Sequence, residues 1–272
     1  MKKIFLVTII TILNISTFSQ PVDFDLGAKH NQVVGYLDNY DFTGKTEELF
    51  MDDVFEYAAK LYEPNGFAEN KGGGIWGQIW FCAKGQGGGE RLSYEGVINS
   101  LQQNGKISTA SNIFLNTLIS ETETLPDYNS FLNKVTSLEK EYNTSSLPEE
   151  EQVIIQGALS VFKQSALMWN NYYSSDEVTP DTQGRRFNLR CFFCVVKNDL
   201  KGALLGFIIG NCVCKKLGLP KPLVCGAIGA TVFGASYSWA AKVCPEVCTR
   251  CRKPSPSSYP SWICQLPFLY WP

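Results

Sequence analysis

The sequence predicts a mainly α-helical protein with two parts, a helical N-terminal domain followed by a small, glycine-rich helical hairpin stapled by disulfides. Apolar residues recur at helical spacing over much of residues 20–173. Two apolar stretches nearer the C-terminus carry a small residue at every fourth position. Nine of the ten cysteines lie at residue 191 or beyond, in the same region as those two stretches.

The N-terminus has the pattern of a secretory signal peptide over residues 1–19. Two lysines follow Met1, an apolar run extends from Ile4 to Ile15, and the small residues Thr17 and Ser19 follow. A membrane anchor is the alternative, but the run is too short to cross about 30 Å of hydrocarbon. We therefore expect an exported protein, secreted or periplasmic.

Residues 20–173 are predicted to form an acidic helical domain. Apolar stripes at helical spacing predict helices over about 47–62 and about 127–143, and a longer helix over 147–173. Ser146 is the predicted cap of the longest helix, and three glutamates near its start suit the positive N-terminal end.

Two glycine runs surround Trp76, Trp80 and Cys82 within residues 70–89. Glycine permits positive φ and close backbone approach, so this segment is predicted to be a loop pair or an irregular hairpin. Two interpretations remain open: a binding loop with exposed tryptophans, or tryptophans packed into the core beside flexible turns.

Charge divides the chain at a polar linker, residues 174–186. Residues 20–186 contain 12 Lys and Arg against 24 Asp and Glu, a net charge of −12, whereas residues 187–253 contain 10 against 2, a net charge of +8. Such asymmetry points to a membrane surface, to nucleic acid or to attraction between the parts. Because export disfavours nucleic acid, the expected partners are a bacterial membrane and, within the molecule, the two domains themselves.

The linker contains Pro180 and Gly184 and ends in the dibasic pair Arg185–Arg186. A protease reaches such a segment easily, so Arg185 and Arg186 are candidate processing residues. An ordinary interdomain connection that is never cut is the alternative.

Two apolar stretches in residues 187–253 are predicted to form a helical hairpin. Small residues four positions apart give each helix a nearly bare stripe, as in the glycine zippers that let two helices approach closely in membranes. The uncharged run 222–241 is 20 residues long, just enough to span a bilayer. A soluble helical pair that uses glycine only for packing is the alternative. The predicted helix-packing residues are Gly202, Gly206, Gly210, Gly226, Ala230, Gly234 and Ser238.

The C-terminal cysteines lie at the two ends of this predicted hairpin, as disulfides that staple it would require. Eight cysteines allow 105 pairings, and geometry favours pairing within each end only. The roles of Cys82 and of Cys264, which lies in an uncharged tail rich in proline and aromatic residues over 254–272, stay open. The disulfide candidates are Cys191, Cys194, Cys212, Cys214, Cys225, Cys244, Cys248 and Cys251.

The basic segment resembles the cysteine-rich bacteriocins of the halocin (microhalocin) type. The resemblance is carried by Cys191-x-x-Cys194, the glycine-rich run from Val224 to Gly229 and the cysteine cluster from Cys244 to Cys251. It covers about a quarter of the chain. It implies a peptide released from the C-terminus of a precursor whose N-terminal part acts as an immunity protein.

The sequence disfavours several kinds of catalytic and binding site, because the residues that they require are missing or differently placed. His30 is the only histidine and lies in a polar stretch, where we expect it at the surface, so histidine-based triads and multi-histidine metal sites are disfavoured. Gly44-Lys45-Thr46 lacks the upstream glycine of a phosphate loop, since Asn39 takes its place. Zinc binding by the two pairs Cys191-x-x-Cys194 and Cys248-x-x-Cys251 is the alternative to disulfides, and export favours disulfides. We expect no enzyme, cofactor or metal.

The sequence therefore predicts a secreted precursor of a membrane-active antibacterial peptide, with the N-terminal domain as chaperone or immunity part. A secreted, disulfide-rich binding or adhesion protein without toxin activity is the main alternative. A hydrolase based on paired carboxylates is a distant third, because no pair stands out among the 24 acidic residues of the segment 20–186.

Overall fold

The computed structural model describes residues 25–62, 78–79, 82, 93–174, 189–218, 222–244, 248, 260, 262 and 264. These residues are mainly α-helical, as predicted. A short 3₁₀ turn, Thr144–Ser146, precedes the longest helix of the N-terminal part. In chain order the helices are α1 (Leu26–Asp38), α2 (Glu47–Tyr62), α3 (Tyr94–Gln103), α4 (Thr109–Thr122), α5 (Tyr128–Glu141), α6 (Glu149–Ser174), α7 (Leu189–Lys216) and α8 (Pro222–Val243).

Helices α2, α5 and α6 lie where the apolar periodicity predicts them. Most of their predicted apolar stripes are buried, for example Phe50 and Val54 in α2 and Phe131 and Val135 in α5. The stripe of α6 is buried at Ile155, Leu159, Phe162, Ala166 and Trp169. Helical periodicity is thus the signal that located these three helices, because burial of one face produces it.

Three helices that the sequence analysis did not predict, α1, α3 and α4, begin at clear capping residues. The side chains of Asp25, Ser93 and Ser108 each accept a hydrogen bond from a backbone amide three residues further on. Such caps satisfy amides that have no partner inside the helix. The caps were therefore the sequence signal that could have located these helices.

Helix α8 lies at the centre of the packing, in contact with α1, α2, α6 and α7. Helix α7 packs along α8 and also contacts α6 and α3. The buried side chains of both hairpin helices, such as Phe192 and Trp239, belong to the same hydrophobic core as those of α1 to α6. The hairpin is therefore an interior element of the fold.

One helix among the described residues, over Leu223–Val243, is long and apolar enough to cross a membrane, with a mean hydropathy of 1.3. Of the residues in the most apolar part of this helix, 89% are buried by the rest of the protein. Length and composition do not separate a spanning helix from the core helix of a folded domain, and the burial of α8 here is that of a core helix.

Two residue-level expectations are wrong. Ser146 does not cap α6: it ends the 3₁₀ turn, and its hydroxyl donates to the carbonyl oxygen of Asn143. His30 is not at the surface, because α1 packs against α6 and α8 and leaves its side chain fully buried. His30 thus lies in a polar stretch of sequence but on the face of α1 that points into the core.

Several predicted features lie wholly or partly outside the described residues. The signal peptide 1–19 lies outside them, as do Trp76 and Trp80 of the glycine-rich segment. Of the linker 174–186, only Ser174 is described, as the last residue of α6. The domain boundary and the processing residues Arg185 and Arg186 therefore stay predictions.

Candidate functional site

The α7–α8 hairpin is built on unusually close contact between two backbones. A methyl group on Gly206 would overlap the carbonyl oxygen of Gly229, and one on Gly210 would overlap that of Cys225. At the third glycine of the stripe, Gly202, a Cβ would lie 2.5 Å from the carbonyl oxygen of Phe233. The three glycines of α7 thus face α8, and no larger residue fits at these positions without moving a helix.

The facing surface of α8 is centred on Gly229, a glycine that the sequence analysis did not select. The predicted residues of α8 have several neighbours instead: Gly226 lies against the ring of Phe207, and Ala230 is buried in the core. Gly234 and Ser238 lie beside polar groups that are described below. The line of closest approach on α8 therefore runs through residues 225, 229 and 233, and not through the predicted residues 226, 230 and 234.

Disulfides staple both ends of the hairpin. Three of them join cysteines of the C-terminal segment to one another, with Cα–Cα distances between 5.3 and 5.9 Å. Cys191 is also disulfide-bonded, and Cys251 lies outside the described residues. The three pairs are Cys214–Cys225 at the turn, Cys194–Cys248 at the open end and Cys244–Cys264, which ties the tail to the end of α8.

A fourth disulfide, Cys82–Cys212, joins the N-terminal part to the hairpin, with a Cα–Cα distance of 5.7 Å. Cys82 is only 2% exposed, while Cys212 is partly buried near the turn end of α7. Pairing within the hairpin ends, which geometry favoured, therefore holds for Cys214–Cys225 and Cys194–Cys248 but not for Cys212 or for Cys244, which pairs with Cys264 of the tail. The sequence analysis left Cys82 without a partner, because a long separation along the chain carries no pairing signal.

A buried polar cluster joins the hairpin to α6 around Asp199 of α7. The hydroxyl of Ser165 and the indole Nε1 of Trp169, which lies 3.2 Å away, both donate to Oδ2 of Asp199. Trp169 Nε1 also lies 2.9 Å from Oγ of Ser238 on α8. Burial raises the pKa of Asp199 well above its usual range, and hydrogen bonds from Ser238 and Trp169 act in the opposite direction. The cluster links three helices through one carboxyl group.

His30 of α1 lies against Gly234 of α8, next to the backbone of Asp199. A Cβ at Gly234 would lie 3.0 Å from His30 Cδ2 and 3.4 Å from the carbonyl oxygen of Asp199. Burial lowers the pKa of His30 to about 4, although the Asn31 side chain, 3.0 Å from Nδ1, and the backbone of Gly234 act to raise it. The imidazole is therefore neutral at neutral pH.

No protein-family model, no curated protein and no solved structure matches the chain. The disulfides indicate an extracellular or otherwise oxidising compartment, because reducing compartments keep thiols free.

Both charged and apolar contacts join the described parts of the hairpin to the N-terminal helices. Lys242 of α8 forms an ion pair with Asp38 at 2.7 Å, and Trp239 Nε1 donates to the same carboxylate at 3.1 Å. A hydrogen bond from its own backbone amide lowers the pKa of Glu95, and Lys197 and Lys201 of α7 add to the shift. The basic segment thus contacts acidic groups, but the apolar faces of α7 and α8 dominate the interface.

A cavity of about 260 Å³ lies at the turn end of the hairpin. Its lining includes Phe207, Leu223, the disulfide-bonded Cys212, Lys106 and Lys215. Within the described ranges no group of three or more His, Cys, Asp or Glu side chains is placed to hold a metal ion.

Residues of the motif that resembles a phosphate loop and of the Cys-x-x-Cys pairs bind other side chains of the protein. Lys45, in the Gly44-Lys45-Thr46 motif, forms an ion pair with Asp53 at 2.7 Å. Cys194 and Cys248, from the two Cys-x-x-Cys pairs, are bonded to each other.

Proposed function

We propose that this chain is a secreted precursor of a membrane-active antibacterial peptide built on the α7–α8 hairpin. The observation that carries the proposal is that the hairpin is held together by contacts and disulfides of its own. Its helices meet through Gly206 and Gly229, and three of the described disulfides close within the C-terminal segment. A segment cross-linked in this way keeps its shape after separation from the rest of the chain.

The hairpin also has the properties needed for membrane binding. Helix α8 is long enough to span a bilayer, and residues 187–253 carry a net charge of +8. Each lysine or arginine near an anionic surface contributes about 1 kcal/mol to binding. The small-residue stripe of α7 then keeps the two helices together in lipid, as in a glycine zipper.

The N-terminal helices restrain the hairpin as chaperone or immunity part. Helices α1, α2 and α6 cover α8, and Lys242 is paired with Asp38. While α8 is covered in this way, its apolar surface is not available to a membrane. Restraint therefore rests mainly on apolar packing, with charge complementarity as a smaller contribution.

Dye leakage from anionic vesicles tests the proposal. A refolded fragment of residues 187–272, checked for helix content by circular dichroism, is compared with the uncut protein. Leakage by the fragment but not by the uncut protein is expected, and vesicles without anionic lipid are the control for charge. Vesicles that stay intact over a wide range of fragment concentrations would contradict the toxin function.

A secreted binding protein is the second candidate, and the central position of α8 favours it. A helix in the core of the whole fold is as compatible with a rigid binding scaffold as with a stored toxin. On this view the groove of about 440 Å³ lined by polar residues of α4, such as Asn112 and Asn116, is the feature to probe. If a protein whose hairpin cannot leave the core still binds a surface as well as the wild-type protein does, this second function is favoured.

A further inference from the structure

The disulfide Cys82–Cys212 has a consequence for any release of the hairpin. Cys82 lies in the N-terminal part and Cys212 in α7, on opposite sides of the linker 174–186. The other disulfides between described cysteines lie wholly on the C-terminal side. A cut anywhere in the linker therefore leaves the two pieces joined by one covalent bond, in addition to the packing of α8.

The surroundings of this bond favour attack by a thiol. Cys212 is partly buried and lies in the wall of the cavity at the turn end, whereas Cys214 and Cys225 are 4% and 2% exposed. Lys215 also lines the cavity and is one helical turn from Cys212 along α7. A nearby positive charge attracts an anionic thiolate and stabilises the thiolate that cleavage produces.

We propose that Cys82–Cys212 is a redox lock, so that the hairpin is freed only when the linker is cut and this disulfide is also reduced by a small dithiol entering the cavity. The proposal rests on the proposed function, since it specifies how the toxin is released.

The exchange is balanced in two steps. One thiolate of the dithiol attacks Cys212 Sγ, and the electron pair of the Cys82–Cys212 bond leaves on Cys82 Sγ, which takes up a proton. The second thiolate of the dithiol then attacks the mixed disulfide and displaces Cys212 as a thiolate, which is also protonated. The protein gains two electrons and two protons, and the dithiol becomes a cyclic disulfide.

The test uses the full chain with the recognition sequence of a site-specific protease placed in residues 175–186. After cutting, denaturing electrophoresis without a thiol is expected to show both pieces in one band. A Cys82→Ser/Cys212→Ser variant is expected to give two bands, and a Cys214→Ser/Cys225→Ser variant, the matched control, one band. Two bands from the cut wild-type protein would overturn the proposal.

Graded dithiothreitol followed by alkylation and peptide mapping tests the order of reduction in the wild-type protein, which removes any dependence on how the variants fold. Cys82 and Cys212 are expected to be labelled about tenfold faster than Cys214 and Cys225. Equal rates, or the reverse order, would contradict the lock.

Vesicle leakage is then measured on the cut protein with and without the dithiol. Leakage only with the dithiol supports the lock, and leakage without it contradicts the lock. Separation of the pieces without any leakage would leave the release mechanism intact and refute the toxin function, so the two failures are distinguishable.

Discussion

His30 and Asp199 both lie beside Gly234 and are both fully buried. Burial disfavours the charged form of each, but the consequences for stability have opposite signs. The native state resists protonation of His30, and it retains the proton of Asp199. Together they make the packing around α8 sensitive to pH from both directions.

Substituting His30 by Gln should remove a loss of stability in acid. The pKa of His30 is lowered to about 4, so wild-type stability decreases as the pH falls below the ordinary histidine pKa and levels off below about 4. The loss amounts to about 3 kcal/mol over this range. Urea unfolding of both proteins at several pH values measures it. Because His30 is the only histidine, parallel pH profiles would contradict the prediction.

Substituting Asp199 by Asn should help most at high pH. The pKa of Asp199 is raised, so its contribution to wild-type stability is present below the ordinary aspartate pKa and is lost as the pH rises through the raised pKa. An amide keeps an acceptor for Ser165 and Trp169 and cannot ionise. Relative to wild type, the free energy of unfolding of the Asp199→Asn variant should therefore be higher at pH about 8 than at pH about 4.

An Asp199→Leu variant is the control for the hydrogen bonds. It removes the acceptor of Ser165 and one of the two acceptors of Trp169, and it should lose about 1 to 3 kcal/mol. A difference between the Asn variant and wild type that does not change with pH would contradict a buried, ionisable Asp199.

At the scale of elements, the hairpin depends on contacts that only glycine allows. Gly206 of α7 and Gly229 of α8 approach each other's backbone so closely that neither admits a Cβ. Glycine inside a helix lowers stability by about 1 kcal/mol relative to alanine, so a helix keeps it where close packing offsets this loss.

Two glycine-to-alanine substitutions separate these effects. Gly206→Ala should destabilise the protein by about 1 to 3 kcal/mol, because the methyl group forces α7 and α8 apart. Gly35→Ala, in α1, is the matched control, since nothing lies within 4 Å of its added Cβ, and it should stabilise by up to about 1 kcal/mol. Chemical denaturation measures both. Equal effects at the two sites would contradict the close contact.

At the scale of the whole molecule, disulfides connect segments that are distant in sequence. Cys82–Cys212 spans 130 residues, whereas Cys214–Cys225 spans 11. A cross-link that closes a longer loop removes more conformational freedom from the unfolded chain. The bond between the N-terminal part and the hairpin should therefore contribute more to stability than the bond at the turn.

Paired serine substitutions test this difference. Removing Cys82–Cys212 should lower the free energy of unfolding by about 5 kcal/mol, and removing Cys214–Cys225 by about 3 kcal/mol, from loop-closure entropy alone. Urea unfolding under non-reducing conditions gives both values. A larger loss for the turn disulfide would show that loop length does not govern the contribution.

The sequence by itself determined the helical class, helices α2, α5 and α6, the two helices of the hairpin and the use of cysteines as disulfides. Helices α2, α5 and α6 were predictable because burying one face of a helix repeats apolar residues with the helical period. The stripe of Gly202, Gly206 and Gly210 was visible for a similar reason, since a line of close approach along a helix requires small residues at a regular spacing. These are local patterns, and they are written in neighbouring residues.

Only the tertiary structure decided which surfaces meet. It paired Cys82 with Cys212, made Gly229 the residue that faces Gly206, and buried His30 beneath α8. Each of these depends on residues that are far apart along the chain, and nothing in the local pattern of one segment specifies its partner. The same reason places α8 at the centre of the fold, because its apolar composition requires burial, and the chain that covers it comes from α1, α2, α6 and α7.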